Sequence, residues 1–132
     1  MTLQLILDKQ LEFQKKLNAW EGILSKDSSV DEQKAQTRFI RDQVLYTIDE
    51  LSEMMREIPY NKHWKDYSDF NMEKRIKLAQ EEYIDALHFF ANIGLALGLT
   101  EDTIRTEYLK KHGINEQRQQ EGYGFHDSQE VE

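Results

Sequence analysis

The sequence predicts an all-α fold, a bundle of four to five helices. Three observations carry this. Apolar residues recur at three- and four-residue steps over long segments, the period of one helix face. Six Gly and one Pro in 132 residues leave little turn material for a β fold. Charged residues make up 32% of the chain and hydrophobic ones 39%, a balance that suits a soluble helical protein. The length is that of one domain with a real core.

The elements follow in order. Residues 2–20 read as a first helix, with Leu3, Ile6, Leu7, Leu11, Phe13, Leu17 and Trp20 on its apolar side. Gln14 and Asn18 are spaced i, i+4 and so share a face; taken alone, both read as solvated polar residues. Gly22 is the expected stop, and 22–30 a linker. Ser29-Val-Asp-Glu32 has the pattern of a capping box that opens a second helix over about 30–57. Its apolar side is Phe39, Ile40, Val44, Leu45, Ile48, Leu51, Met54 and Met55. Pro59 ends it, since proline lacks an amide proton and restricts Ile58 before it. Residues 58–70 form a loop that gathers Lys62, His63, Trp64 and Lys65.

A third helix, about 71–97, turns apolar nearly all round, as a helix does in a bundle centre or a subunit interface. Gly98 is its natural C-cap. Thr100 caps a fourth helix over about 101–112, with Glu101 and Asp102 set against its dipole. Gly113 is expected to close it. The remainder, 114–132, is poor in large apolar residues and reads as a mobile tail. Helix three carries more apolar surface than one short bundle covers, so a homodimer is expected.

Several classes are set aside. The net charge of -8 argues against a nucleic-acid partner, though a metal can still bring in a nucleotide. With no cysteine there is no disulfide, thiolate nucleophile or cysteine-bound zinc. The opening Met1-Thr-Leu-Gln-Leu-Ile-Leu-Asp8 lacks a basic region, and the run Ala86–Leu99 is too short to span a bilayer. No membrane partner and a cytoplasmic location are the expectation. Gly-rich phosphate loops, zinc-protease motifs and nucleophile elbows are absent.

What stands out is four acids on two helices. Glu50 and Glu53 are spaced i, i+3 on the second helix, and Glu82 and Asp85 on the third, so each pair points from one face. The second pair leads into an apolar run, where unpaired carboxylates are costly. A hard cation such as Mg²⁺, which prefers oxygen ligands, supplies a reason for them. The bland alternative is an exposed acidic stripe. Lys62 and Lys65 suit phosphate oxygens and Trp64 suits stacking on a base; the competing reading has Trp64 cap the core while the lysines stay in water. His88 and Asn92, three and seven residues after Asp85, read first as hydrogen-bonded structural residues that also stand where they can orient a carboxylate from behind.

Glu-x-x-Glu, a basic aromatic loop, then Glu-x-x-Asp resembles the all-α nucleoside triphosphate pyrophosphatases, which include MazG-type enzymes and the dimeric dUTPases. Three further stretches are similar to the dimeric dUTPases. They are Phe13-Gln14-Lys-Lys-Leu-Asn18, Lys62-His63-Trp64-Lys65 and Asn115-Glu-Gln-Arg118-Gln119-Gln-Glu-Gly122-Tyr123. The resemblance runs from about Gln10 to Tyr123. It implies hydrolysis of dUTP, with dUDP as a further substrate, to dUMP. Two or more Mg²⁺ ions on Glu50, Glu53, Glu82 and Asp85 would activate a water, with Glu50 or Glu53 orienting or deprotonating it. It implies that Gln14, Asn18 and Trp64 meet the base, and that Lys62, Lys65, Lys111, Asn115, Arg118 and Tyr123 meet phosphate. Residues 1–113 would then be the core and 114–132 a phosphate-closing segment and acidic tail of the same domain. The alternatives are a MazG-like pyrophosphatase of other nucleotides and a non-enzymatic helical interaction module.

Overall fold

The computed structural model describes residues 1–122. It contains four helices, α1 (Thr2–Lys16), α2 (Val30–Glu57), α3 (Met72–Ala96) and α4 (Glu101–Gln120), and no strand among the described residues. The chain forms two compact units, Met1–Leu99 with α1 to α3 and a second beginning at Thr100 with α4. No single described helix is long and apolar enough to cross a membrane.

In the first unit α2 and α3 lie antiparallel. Three cross-pairs fix the register: Gln43 with Asn92, Glu50 with Glu82, and Glu57 with Arg75. The last is an ion pair of 2.8 Å, and the Arg75 guanidinium also sits 4.6 Å over the Phe70 ring. α1 packs on α3. The capping box forms as the sequence predicts: the Glu32 amide donates to Ser29 Oγ, and the Ser29 amide to Glu32 Oε1. The Asn71 side chain caps α3 by accepting from the Lys74 amide.

Helix α1 is shorter than expected. It stops at Lys16, because Asn18 takes a left-handed conformation, φ 56°. The Asn18 amide donates to the Lys15 carbonyl and the Ala19 amide to the Gln14 carbonyl, which is a Schellman ending. Asn serves there because it tolerates the left-handed region better than most residues with a side chain. Gly98 ends α3 in the same way, with the Leu99 amide donating to the Gly94 carbonyl at 2.9 Å. Asn18 and Gln14 therefore do not share a helix face. Trp20, expected on α1, lies in the connection and packs edge-on against Phe39, with ring centres 5.6 Å apart. The connection is held down by the Gln33 and Gln36 side-chain amides, which donate to the carbonyls of Ser25, Ser28 and Glu21.

Helix α4 runs past Gly113 to Gln120, where the sequence suggested a tail. Glycine costs a helix interior only about 1 kcal/mol. Pairs one turn apart span and follow it: His112 with Glu116 at 2.9 Å and Gln117 with Glu121 at 3.2 Å. Thr100 caps the start by accepting from the Thr103 amide.

The buried residues of α1 and α2 are unusual. They are Leu7, Gln10 and Gln14 on α1, and Gln36, Phe39 and Gln43 on α2. The apolar side expected for α2 is largely open in the single chain, with Leu45, Ile48 and Met55 about half exposed.

Candidate active site

The acids come together at the centre of the α2–α3 pair. Glu50, Glu53 and Glu82 each place a carboxylate oxygen within 4.8 Å of the other two. Antiparallel packing brings Glu50 opposite Glu82, and the i, i+3 spacing adds Glu53 from the next turn. Glu50 Oε2 and Glu82 Oε2 are buried and receive no hydrogen bond. Ionised, none of the three can donate to another. A proton on Glu82 relieves this, and its carboxyl is pushed up to about 7. The largest cause is hydrogen bonding to Glu50, then burial, then hydrogen bonding to and repulsion from Glu53, and last repulsion from Glu50. The Arg56 guanidinium is 3.9 Å from Glu53 and largely in solvent. Asp85 is exposed, one turn beyond Glu82 and outside the trio.

A cleft of about 460 Å³ opens beside the trio. Phe13 and Gln14 come from α1, Phe39, Gln43 and Tyr46 from α2, and Phe89 from α3; Ala19 and Glu21 of the connection complete one side. Gln43 lies seven residues before Glu50 on α2, and Phe89 seven after Glu82 on α3. Both are two turns along the same helix stripes, about 10 Å along the helix axes from the acids. Tyr46 and Phe89 touch, with ring centres 5.3 Å apart. Aromatic walls with a few buried amides are what a planar, polar-edged ligand requires.

A family model for dUTPase matches residues 2–98 and 90–123. The chain belongs to the all-α dUTPase family. No curated protein and no solved structure matched it. Its activity is that of a dUTP diphosphatase, the hydrolysis of dUTP, and a dUTPase of this family works with a divalent metal. The residues present fit such an ion. Three carboxylates are gathered where no protein donor satisfies them, two with buried orphan oxygens, and hard oxygen ligands are what a divalent cation of this kind takes.

The other predicted residues of the dUTPase are placed as follows. Gln14 is buried and lines the cleft; Asn18 is not among the lining residues. Trp64 is 70% exposed and packs edge-on against His63, away from the core, and Lys62 and Lys65 share its turn. The loop is anchored instead by Tyr67, which is buried against Tyr60 and Phe70. Lys111, Asn115 and Arg118 fall on one face of α4, at i, i+4 and i+7. Tyr123 lies outside the described residues.

His88 and Asn92 do not touch the acids. His88 Nδ1 lies 2.8 Å from the Ile84 carbonyl of its own helix. Asn92 is 1% exposed and joins two glutamines: Gln10 Nε2 donates to its Oδ1 at 3.1 Å, and its Nδ2 donates to Gln43 Oε1 at 2.9 Å. Neither Gln10 nor Gln43 was predicted. The available signal was their place on the stripes of Leu7 and Phe39, where an apolar side chain is the norm.

Proposed function

We propose that the enzyme hydrolyses dUTP to dUMP and pyrophosphate, and dUDP to dUMP and phosphate, in a Mg²⁺-dependent reaction. The observation that carries this is the trio Glu50, Glu53 and Glu82 with its buried, donor-free oxygens, in a chain of the dUTPase family. These three would hold Mg²⁺, and Asp85, one turn further along α3, extends the set for a second ion. Mg²⁺ held there would neutralise phosphate oxygens and lower the pKa of water. Glu53, whose side chain is 45% exposed, is the best placed of the three to orient or deprotonate the attacking water.

The base takes the aromatic cleft, with Gln14 at its edge. The phosphate chain then runs along the α2–α3 pair toward the trio. Asn18 and Trp64, outside the cleft lining in the free chain, meet the base only on closure of their segments. We also assign phosphate contacts to Lys62, Lys65, Lys111, Asn115, Arg118 and Tyr123, the cations through charge-assisted hydrogen bonds.

The homodimer is part of this reading. A nearly wholly apolar hollow of about 640 Å³ lies between Met54, Ile58, Met72, Ile76 and Tyr83, and it continues toward Leu51 and Phe90. Exposed apolar surface on this scale favours a covering partner, and a second copy supplies the same surface. A single sedimenting species of monomer mass would remove this element. The setting we assign is the cytoplasm, for a chain that needs no oxidising compartment. We assign neither nucleic acid nor membrane as a partner, in keeping with the net charge of -8.

Turnover of dUTP and dUDP with and without Mg²⁺ tests the proposal. Glu50→Gln and Glu82→Gln are expected to abolish it, and unchanged rates in both would refute it.

A further inference from the structure

The buried chain of amides has a direction. Gln10 Nε2 lies 3.3 Å from the backbone carbonyl of His88, which can only accept. That fixes the nitrogen of Gln10 on the α3 side, where it also meets Asn92. Asn92 must answer with its oxygen, so its NH₂ faces Gln43. Gln43 must answer in turn with its own oxygen. Its NH₂ group is what remains. Gln43 is 6% exposed and lines the cleft, and its amide nitrogen has no partner among the described residues. One backbone carbonyl thus sets, through three side chains from three helices, the polarity of the amide at the cleft wall.

We propose that Gln43 is a specificity-determining residue whose NH₂, held toward the cleft by Gln10 and Asn92, donates to the 4-carbonyl of a uracil base. The same group has nothing to offer the 4-amino group of cytosine, which also needs an acceptor. An amide free to turn over would serve either base. The Asn92 contact prevents that, because turning Gln43 would bring two NH₂ groups together in a buried site. Asn92 is therefore a positioning residue and Gln43 the contact. The inference rests on the reading that the cleft takes the base.

The test is calorimetric binding of dUMP and dCMP to the intact protein, which needs no turnover. Failure of Mg²⁺-dependent hydrolysis would count against the catalytic reading, while the ratio of the two Kd values judges Gln43. The wild type is expected to favour dUMP. Gln43→Met should weaken dUMP by roughly ten- to a hundredfold and leave dCMP nearly unchanged, the cost of an unmade buried hydrogen bond. Asn92→Asp offers Gln43 an acceptor in place of a donor. Gln43 should then turn its oxygen to the cleft, and preference should move toward dCMP. A pure packing role for Asn92 would not move the ratio. Gln43→Glu makes the same donor-to-acceptor change directly, should Asn92→Asp fail to fold. Equal Kd values for the two ligands in the wild type, or an equal loss for both in Gln43→Met, would overturn the proposal.

Discussion

Glu50 of α2 and Glu82 of α3 stand opposite each other, each with a buried carboxylate oxygen that receives no hydrogen bond. Two such groups, with Glu53 beside them, cannot all ionise without cost. Hydrogen bonding to Glu50 and burial push the Glu82 carboxyl up to about 7, which favours a proton there, and a cation is the natural replacement for it.

The pH dependence of the metal-free protein follows. The Glu82 carboxyl is raised from an ordinary 4.5 to about 7 in the folded chain. Between those values the folded state binds more protons than the unfolded one, so stability falls as pH rises. The contribution is complete below 4.5 and lost as pH passes about 7. In EDTA, the Tm of Glu82→Gln should gain on that of wild type between pH 5 and pH 8. A constant difference across that range would mean that Glu82 titrates normally.

Mg²⁺ should stabilise the folded protein without nucleotide. At a hundredfold excess over Kd, one site contributes about 2.7 kcal/mol. Thermal scans with Mg²⁺ should show the gain in wild type and its loss in Glu50→Gln and Glu82→Gln. Asp85→Asn, outside the trio, should keep most of it. An equal Mg²⁺ effect in all four proteins would place the ion elsewhere.

Beyond the trio, α2 and α3 are tied by Arg75, which pairs with Glu57 and stacks on Phe70. Both partners are only half-buried, so Arg75→Met should cost about 1–2 kcal/mol in urea unfolding. Arg75→Lys should recover only part of this, because an ammonium lacks the planar face. Full recovery by Lys would reduce the contact to simple charge.

The sequence made some of this legible for local reasons. The Ser29–Glu32 box, the stop at Pro59 and the caps at Thr100 and Gly98 each depend on residues within a few positions. The acid trio was visible because i, i+3 spacing on two helices is also local, and only the pairing of α2 with α3 was missing. Asp85 matched the same pattern but lies exposed. The end of α1 was misjudged because Asn18, read as helical, takes the left-handed turn. Gly113 misled because one glycine costs a helix interior too little to end it, and side-chain pairs offset part of that cost. The Gln10–Asn92–Gln43 chain joins positions 82 and 49 residues apart, and such contacts leave no periodic trace.

The left-handed turn at Asn18 makes its own prediction. Asn18→Val should lose about 1–2 kcal/mol of stability, since a β-branched side chain is poorly tolerated there, whereas Asn18→Gly should be neutral or better. Chemical unfolding checks both. A loss of equal size in Asn18→Gly would show that the side chain, rather than the backbone turn, is what matters.

Trp64 offers a spectroscopic test of closure. It is 70% exposed in the free chain, whereas Trp20 packs on Phe39. In a Trp20→Phe background, dUMP with Mg²⁺ should shift Trp64 emission to the blue. An unchanged spectrum at saturating dUMP would remove Trp64 from the base site.

The central claim is that the carboxylate trio and the aromatic cleft together make a Mg²⁺-dependent enzyme selective for dUTP. Its most direct test is incubation of the purified protein with dUTP, dTTP, dCTP and dATP, with and without Mg²⁺, scoring monophosphate and pyrophosphate. The account predicts rapid dUMP and pyrophosphate formation only with Mg²⁺, and the other three nucleotides spared. Metal-independent turnover, or equal turnover of all four, would contradict it.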